Sequence, residues 1–157
     1  MTFKNLQDDL IEDIKKTLKD MVTKDRVGND IAGFNGYAHA LPVLQDDEED
    51  PDRFFPFFIV RYDTITTAGD DDCWHATLDI ILGVHDRTGY LGHEHLLVAI
   101  QRILDRFVSD PKLAGKYRAD QNPTATVGED DTFPYYYGAV QITFSAPKMG
   151  RSKDYYA

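Results

Sequence analysis

The segment CWHATLDIILGVH, residues 73–85, constrains the fold more than any other, because apolar residues recur along it at alternate positions. One face carries the apolar side chains Trp74, Ala76, Leu78, Ile80, Leu82 and Val84. The other face carries His75, Thr77, Asp79 and His85. A period of two residues is typical of a β-strand with one face on a core and the other facing water or a partner. The segment therefore predicts a long strand within a sheet.

Two further segments predict long strands of the same sheet. FFPFFIVRY is apolar on both faces. Because proline lacks a backbone N–H, Pro56 predicts either that strand pairing starts near Phe57 or that the segment lies at a sheet edge. The polar turn TTAGDDD then leads into residues 73–85, which predicts an antiparallel hairpin. YYYGAVQITFSA alternates again, and a weaker strand pattern covers residues 117–126. These segments predict a mainly antiparallel sheet of about four strands.

Two amphipathic segments predict an N-terminal and a central helix packed on this sheet. The first begins after Thr2, a potential cap, continues through Val22 and ends near Val27. Its spacing-four stripe is Leu6, Leu10, Ile14 and Leu18. The second covers residues 91–108 and ends before Pro111, since proline cannot continue a helix. Helices packed on a largely antiparallel sheet give an α+β fold.

The chain of 157 residues predicts a single domain, residues 1–157. Within it we expect a solvated acidic loop at residues 45–52 and a flexible tail at residues 148–157. The glycines of the mixed stretch before the acidic loop match no phosphate-binding motif and predict turns instead: Gly28, Gly33 and Gly36.

Composition argues against several classes of function. The net charge of −10 opposes nucleic acid as a ligand, because phosphate binding depends on clustered Lys and Arg. The one cysteine, Cys73, allows no internal disulfide and no multi-cysteine zinc site, and it is typical of a reducing cytoplasm. The N-terminus does not resemble a signal peptide, and no apolar run approaches the roughly 18 residues of a membrane span.

HDRTGYLGHEH, residues 85–95, holds three of the five histidines and is the segment most like a metal or catalytic site. Its histidines cannot share a metal with His75, which lies about 33 Å from His85 along an extended strand. His93 and His95 point in different directions on a helix, and their spacing is not that of HExxH. A polar connection from strand to helix is the simpler interpretation.

No pattern predicts a covalent catalyst. The sequence contains no GxSxG, and Cys73 follows three aspartates whose charges disfavour a thiolate. We therefore expect no enzymatic activity, no catalytic residues, no bound metal and no cofactor.

Aromatic residues are dense enough to favour self-association. They fill both faces of the strand segment after residue 53 and recur at residues 135–137. Tyr and Phe are enriched where subunits meet. The residues that we expect at a subunit interface are Phe55, Phe57, Tyr135 and Tyr137.

The order of these segments resembles a known family. An amphipathic N-terminal helix and a Phe-rich strand precede WHATLDIILGVHD, and then LLVAIQRILDRF, DPKLAGKYRA and YYYGAVQITFSAP follow. This order is similar to that of the tail terminator, or tail completion, proteins of long-tailed bacteriophages. The resemblance extends from about Leu6 to Pro147 and rests on the order and texture of elements rather than on a fixed motif.

The resemblance implies a structural protein of the virion tail, assembled in the host cytoplasm. Such proteins form hexameric rings on the head-proximal end of the tail tube, stop its growth and provide the surface that joins the head. The implied partners are further copies of the chain, the tail tube protein and the head–tail connector protein, with neither sequence-specific nucleic acid nor membrane.

In such a ring, acidic side chains could line the lumen or its rim and let DNA pass without sticking. The candidates are Asp46, Asp47, Glu48, Glu49, Asp70, Asp71 and Asp72, with the run from Glu129 to Asp131 as a further possibility. Solvated loops are the plain alternative for all of them.

Two alternative functions remain open. A neck or head-completion protein would be built similarly and would cap a different partner. A metal-binding module or hydrolase would require the turn to fold back and bring together ligands from Asp86, Glu94 and the three histidines of the segment, His85, His93 and His95.

Overall fold

The computed structural model describes residues 2–25, 27–43, 51–87, 91–128 and 132–148. Helix α1, Phe3–Leu18, begins where it was predicted, because the Thr2 side chain accepts a hydrogen bond from the Asn5 N–H. The predicted continuation of the helix through Val22 is wrong. Residues 22–24 instead pair with residues 30–32, so strand hydrogen bonds replace helical ones there.

This pairing forms a small antiparallel hairpin, β1 (Val22–Lys24) and β2 (Asp30–Ala32), which stands apart from the main sheet. Asp25 fixes its turn, since one carboxylate oxygen accepts hydrogen bonds from the N–H groups of Val27 and Asn29 at 2.9 and 2.8 Å. Gly28 and Gly33 have positive φ angles of 92° and 79°, so both glycines serve turns, as predicted.

The main sheet is built from three long strands and four short ones. The long strands are β4 (Phe57–Thr66), β5 (Trp74–His85) and β9 (Tyr135–Ala146). The short ones are β3 (Asn35–Ala38), β6 (Lys112–Leu113), β7 (Tyr117–Ala119) and β8 (Thr124–Val127). Their order is β3-β4-β5-β9-β7-β6, with β8 beside β9, and every pair is antiparallel except β3 with β4. The predicted hairpin of β4 and β5 is confirmed.

The α+β class is confirmed, whereas the prediction of about four strands is wrong, because the main sheet has seven. The missed strands span two to four residues each, too few to show a period of two. Gly36, predicted to serve a turn, lies in β3. A Cβ atom there would lie 2.5 Å from the Phe58 ring, so glycine lets this edge strand approach the core.

Both helices pack on one face of the sheet. Helix α2, Leu91–Ser109, occupies the predicted span, with Glu94 in its first turn. The core between helices and sheet contains side chains that are fully excluded from solvent, including Leu6, Leu10, Ile14, Leu78, Ile80, Leu82, Ile103 and Phe144. The opposite face of the sheet carries the odd-numbered residues of β5 and β9 and the odd-numbered residues of β4 as far as residue 61. It is called the outer face below.

Candidate functional site

A second hydrophobic cluster lies on the outer face and is called the outer aromatic cluster. It consists of Phe54, Phe55 and Phe57, with Tyr37, Leu41, Ile59 and Tyr135 packed against them. The Phe55 ring centroid lies 4.9 Å from that of Phe57 and 5.1 Å from that of Tyr135. Gly83 makes room for this packing, because a Cβ atom there would lie 2.3 Å from the Phe57 ring.

The four residues expected at a subunit interface therefore have different surroundings. Phe55 and Phe57 are buried by their own chain, so neither offers free surface in a single copy. Tyr135 is half-buried, and Tyr137 is 39% exposed. Of the four, only Tyr137 is exposed to solvent.

A buried carboxylate holds the segment that carries this cluster. Asp52 lies in a 3₁₀ helix, Pro51–Phe54, and its side chain is 7% exposed. Its Oδ1 accepts a hydrogen bond from the Tyr135 hydroxyl at 2.7 Å, and its Oδ2 accepts one from Arg87 Nη2 at 3.0 Å. The expectation of a solvated acidic loop through residue 52 is thus wrong at Asp52, because these donors replace water around its carboxylate.

His85 completes this group, which is called the Asp52 network and consists of Asp52, His85, Arg87 and Tyr135. The His85 side chain is 5% exposed, and its Nε2 lies 3.3 Å from Asp52 Oδ2. This contact lacks hydrogen-bond geometry, and His85 Nε2 has no hydrogen-bond partner within the described part of the chain. The prediction that His85 faces water or a partner is wrong, since the segment around Asp52 covers that end of β5.

Because of the Asp52 network, the free energy of unfolding is expected to change with pH in the acid range. Burial alone would raise the pKa of Asp52, but the Tyr135 hydrogen bond and the charges of His85 and Arg87 outweigh burial and lower it. A carboxyl whose folded-state pKa is lowered stabilises the protein above its unfolded pKa of about 3.9, and this contribution is lost as the pH falls through the folded-state pKa. We expect the difference in unfolding free energy between wild type and Asp52→Asn to shrink as the pH falls below about 4. Urea titrations at several pH values measure it, and a difference that stays constant down to pH 2 would contradict the lowered pKa.

The histidine segment is split among three environments. His85 belongs to the Asp52 network. Asp86 Oδ2 accepts a hydrogen bond from the Gly92 N–H at 2.7 Å, which places its carboxylate at the start of α2. His95 lines a pocket of about 310 Å³ with His85 and Asp86, whereas His93 lines a different pocket, next to Tyr136 and Tyr137. Among the described residues these side chains form no metal-binding group.

The acidic lumen candidates are placed as follows. Asp70 and Asp71 are exposed in the turn between β4 and β5. Asp72 is half-buried and points back into the turn, where Oδ2 accepts a hydrogen bond from the Ala68 N–H at 3.1 Å and lies 2.9 Å from His75 Nε2. The remaining candidates lie outside the described residues: Asp46, Asp47, Glu48, Glu49 and the run 129–131.

Along the strands, the side chains of the outer face change from apolar to polar. Next to the outer aromatic cluster, Ile59 is in register with Ile81, and Ile81 with Ala139, and all three side chains remain partly exposed. This set is called the apolar row, and Tyr137 adjoins it on β9. One row further, Gln141 donates a hydrogen bond to Asp79 at 2.9 Å.

No protein-family model matches the chain, and no curated protein matches it. The resemblance to tail terminator proteins therefore stays a prediction. Neither described helix has the length and apolar character that crossing a bilayer requires.

The arrangement of two groups of polar residues was not predicted from the sequence. Asp52 was grouped with a charge run, although its neighbours Pro51, Arg53 and Phe54 belong to an aromatic segment, and a carboxylate next to buried aromatics often needs partners. The second group comprises Asp72, Cys73 and His75. Cys73 and His75 are two residues apart at a strand start, which places them on the same side.

Proposed function

We propose that the protein is a structural component of a phage or prophage tail that forms a ring, caps the head-proximal end of the tail tube and provides the head-joining surface. The observation that carries this proposal is the apolar row with Tyr137, a partly exposed surface in the middle of the main sheet. The resemblance of the sequence to tail terminator proteins supports the same function.

A second copy of the chain is the occupant that best suits this surface. The row is uncharged and lies beside buried aromatic packing, so covering it removes apolar area from water without stranding a charge. Nucleic acid is a poor occupant, because the chain carries a net charge of −10 and the row offers no cation.

The charge also suits a ring around a DNA channel. Six copies would carry six times the −10 of one chain, and an acidic lumen keeps DNA from binding its wall. Asp70 and Asp71 are exposed on one turn and are the described candidates for such a surface.

Ile81→Lys is expected to abolish ring formation with little effect on folding. A lysine in the apolar row would bring a charge into each subunit contact, which typically weakens association by tenfold or more. Multi-angle light scattering over a concentration series measures the assembly, and circular dichroism verifies the fold. Val108→Lys is the matched control, since Val108 is 70% exposed on α2, away from the outer face. Assembly lost in Val108→Lys and kept in Ile81→Lys would place the contact on α2 and refute the apolar row.

The neck or head-completion alternative is distinguished by the partner that is capped. Purified protein is added separately to tail-less heads and to free tails, and particle joining is then scored by electron microscopy. Completion of tails supports the proposal, and completion of heads alone supports a neck protein.

A further inference from the structure

A compact group of three metal-ligating side chains lies where the β4–β5 turn enters β5. His75 Nε2 lies 2.9 Å from Asp72 Oδ2 and 3.8 Å from Cys73 Sγ. Cys73 Sγ in turn lies 3.7 Å from Asp72 Oδ1. Among the described residues, this is the group of three or more His, Cys, Asp or Glu ligand atoms that lie within 4.8 Å of one another.

The separations of 2.9, 3.7 and 3.8 Å lie on either side of the edge length of a tetrahedral zinc site, so shifts of a few tenths of an ångström would bring the three ligand atoms to it. Zinc bonds of about 2.3 Å to sulfur and about 2.0–2.2 Å to nitrogen or oxygen place neighbouring ligand atoms about 3.3–3.6 Å apart. The carboxylate and the thiol also approach the same ring nitrogen of His75. The 2.9 Å contact between His75 and Asp72 is of hydrogen-bond length, and a cation bound there would replace the shared proton with the Cys73 thiol within reach.

The backbone presents the ligands from a fixed frame. His75 is held in the sheet between Thr66 of β4 and Ser145 of β9. The Asp72 N–H donates a hydrogen bond to the Gly69 carbonyl at 3.2 Å, which closes the turn, and Asp72 Oδ2 is oriented by the Ala68 N–H. Ligands held in this way lose little conformational entropy when they bind a metal.

We propose that Asp72, Cys73 and His75 form a binding site for one zinc-class divalent cation, with the fourth coordination position left to water. The thiolate and imidazole select a borderline-soft cation over Mg²⁺ or Ca²⁺, which prefer oxygen ligands. The carboxylate and the thiolate together balance the charge of the dication. The site goes beyond the proposed tail function and requires no ring, so the two proposals stand or fall separately.

Cobalt(II) provides a direct test on untagged, chelator-treated full-length protein. A thiolate bound to Co²⁺ gives a sulfur-to-metal charge-transfer band in the near ultraviolet, and Cys73 is the one cysteine in the sequence, so this band reports Cys73 alone. We expect the band to saturate at one Co²⁺ per chain, with visible bands of tetrahedral intensity. Zinc should abolish the band, and excess Mg²⁺ should leave it unchanged.

Substitutions assign the ligands. Cys73→Ser should remove the charge-transfer band. His75→Gln should weaken Co²⁺ binding by more than about tenfold, because the loss of a residue that only hydrogen-bonds to a metal ligand already weakens metal binding by about that much. His93→Gln and Asp71→Asn are the controls, since both side chains are exposed, and they should bind like wild type. Zinc should also raise the Tm of wild type and leave that of Cys73→Ser unchanged, because a ligand that binds only the folded state stabilises it.

Three results would overturn the site. One is wild-type protein without a charge-transfer band at stoichiometric Co²⁺. Another is undiminished Co²⁺ affinity in His75→Gln. The third is a zinc-induced rise in Tm that persists in Cys73→Ser.

Discussion

Asp52→Ala is expected to destabilise the protein by about 2–4 kcal/mol, because it leaves the hydroxyl of the half-buried Tyr135 without its acceptor and removes the carboxylate 3.3 Å from His85 Nε2. The expected loss of stability is smaller than is usual when one partner of a fully buried ion pair is removed, because the Arg87 side chain is 54% exposed and can be solvated by water instead. The substitution also releases the 3₁₀ helix that positions Phe54 and Phe55 of the outer aromatic cluster. We therefore expect it to be among the most disruptive single changes outside the core.

Urea unfolding followed by fluorescence of Trp74, the one tryptophan, measures this loss. Trp74 begins the strand that His85 ends, so it reports global unfolding rather than local change around Asp52. Asp71→Ala, which removes an exposed carboxylate, should change stability by less than about 0.5 kcal/mol. The double variant Asp52→Ala/Tyr135→Phe should be less destabilised than the sum of its single variants, and strict additivity would contradict the hydrogen bond between them.

Gly83→Ala is expected to cost about 1–3 kcal/mol, although alanine suits a strand better than glycine does. Its Cβ atom would lie 2.3 Å from the Phe57 ring, which is itself held by Phe55 at 4.9 Å between centroids. The ring has to move and disturb the outer aromatic cluster, a typical overpacking cost. Thermal unfolding and near-ultraviolet circular dichroism, which reports aromatic packing, measure the effect.

Gly69→Ala is the matched control for this glycine. An added Cβ atom there meets no atom within 4 Å, so we expect a change close to zero. Equal stability of Gly83→Ala and Gly69→Ala would show that the Phe57 ring is not held over β5.

The long elements could be predicted from the sequence because each repeats its period several times. β5 and β9 show an alternation of buried and less buried residues along most of their length, and α2 keeps its apolar stripe over its whole span. The helix α1 was predicted too long, because the residues after Leu18 continue the helical pattern while long-range pairing with β2 decides their structure. Short strands such as β3 depend on a neighbour for their existence and leave no periodic signal.

The polar groups could be predicted less well, for a different physical reason. Tyr135 and Asp52 are more than eighty residues apart in the sequence. Nothing local in the sequence shows that the Tyr135 hydroxyl donates a hydrogen bond that offsets the cost of burying the Asp52 carboxylate. Asp72, Cys73 and His75 are neighbours, but their convergence depends on the turn closing through Gly69, which the residue types alone do not reveal.

Growth of tail tubes in the presence of the protein tests the central proposal most directly. Tube protein of the same particle is allowed to polymerise, the purified full-length chain is added, and tube lengths and ends are measured by electron microscopy. The proposal predicts that tubes stop lengthening and that one end carries a ring whose mass is a multiple of the 17.9 kDa chain, six copies by the resemblance. Ile81→Lys should leave growth unchecked, and Val108→Lys should stop it. Tubes that continue to grow with wild-type protein and carry no additional density at either end would contradict the proposal.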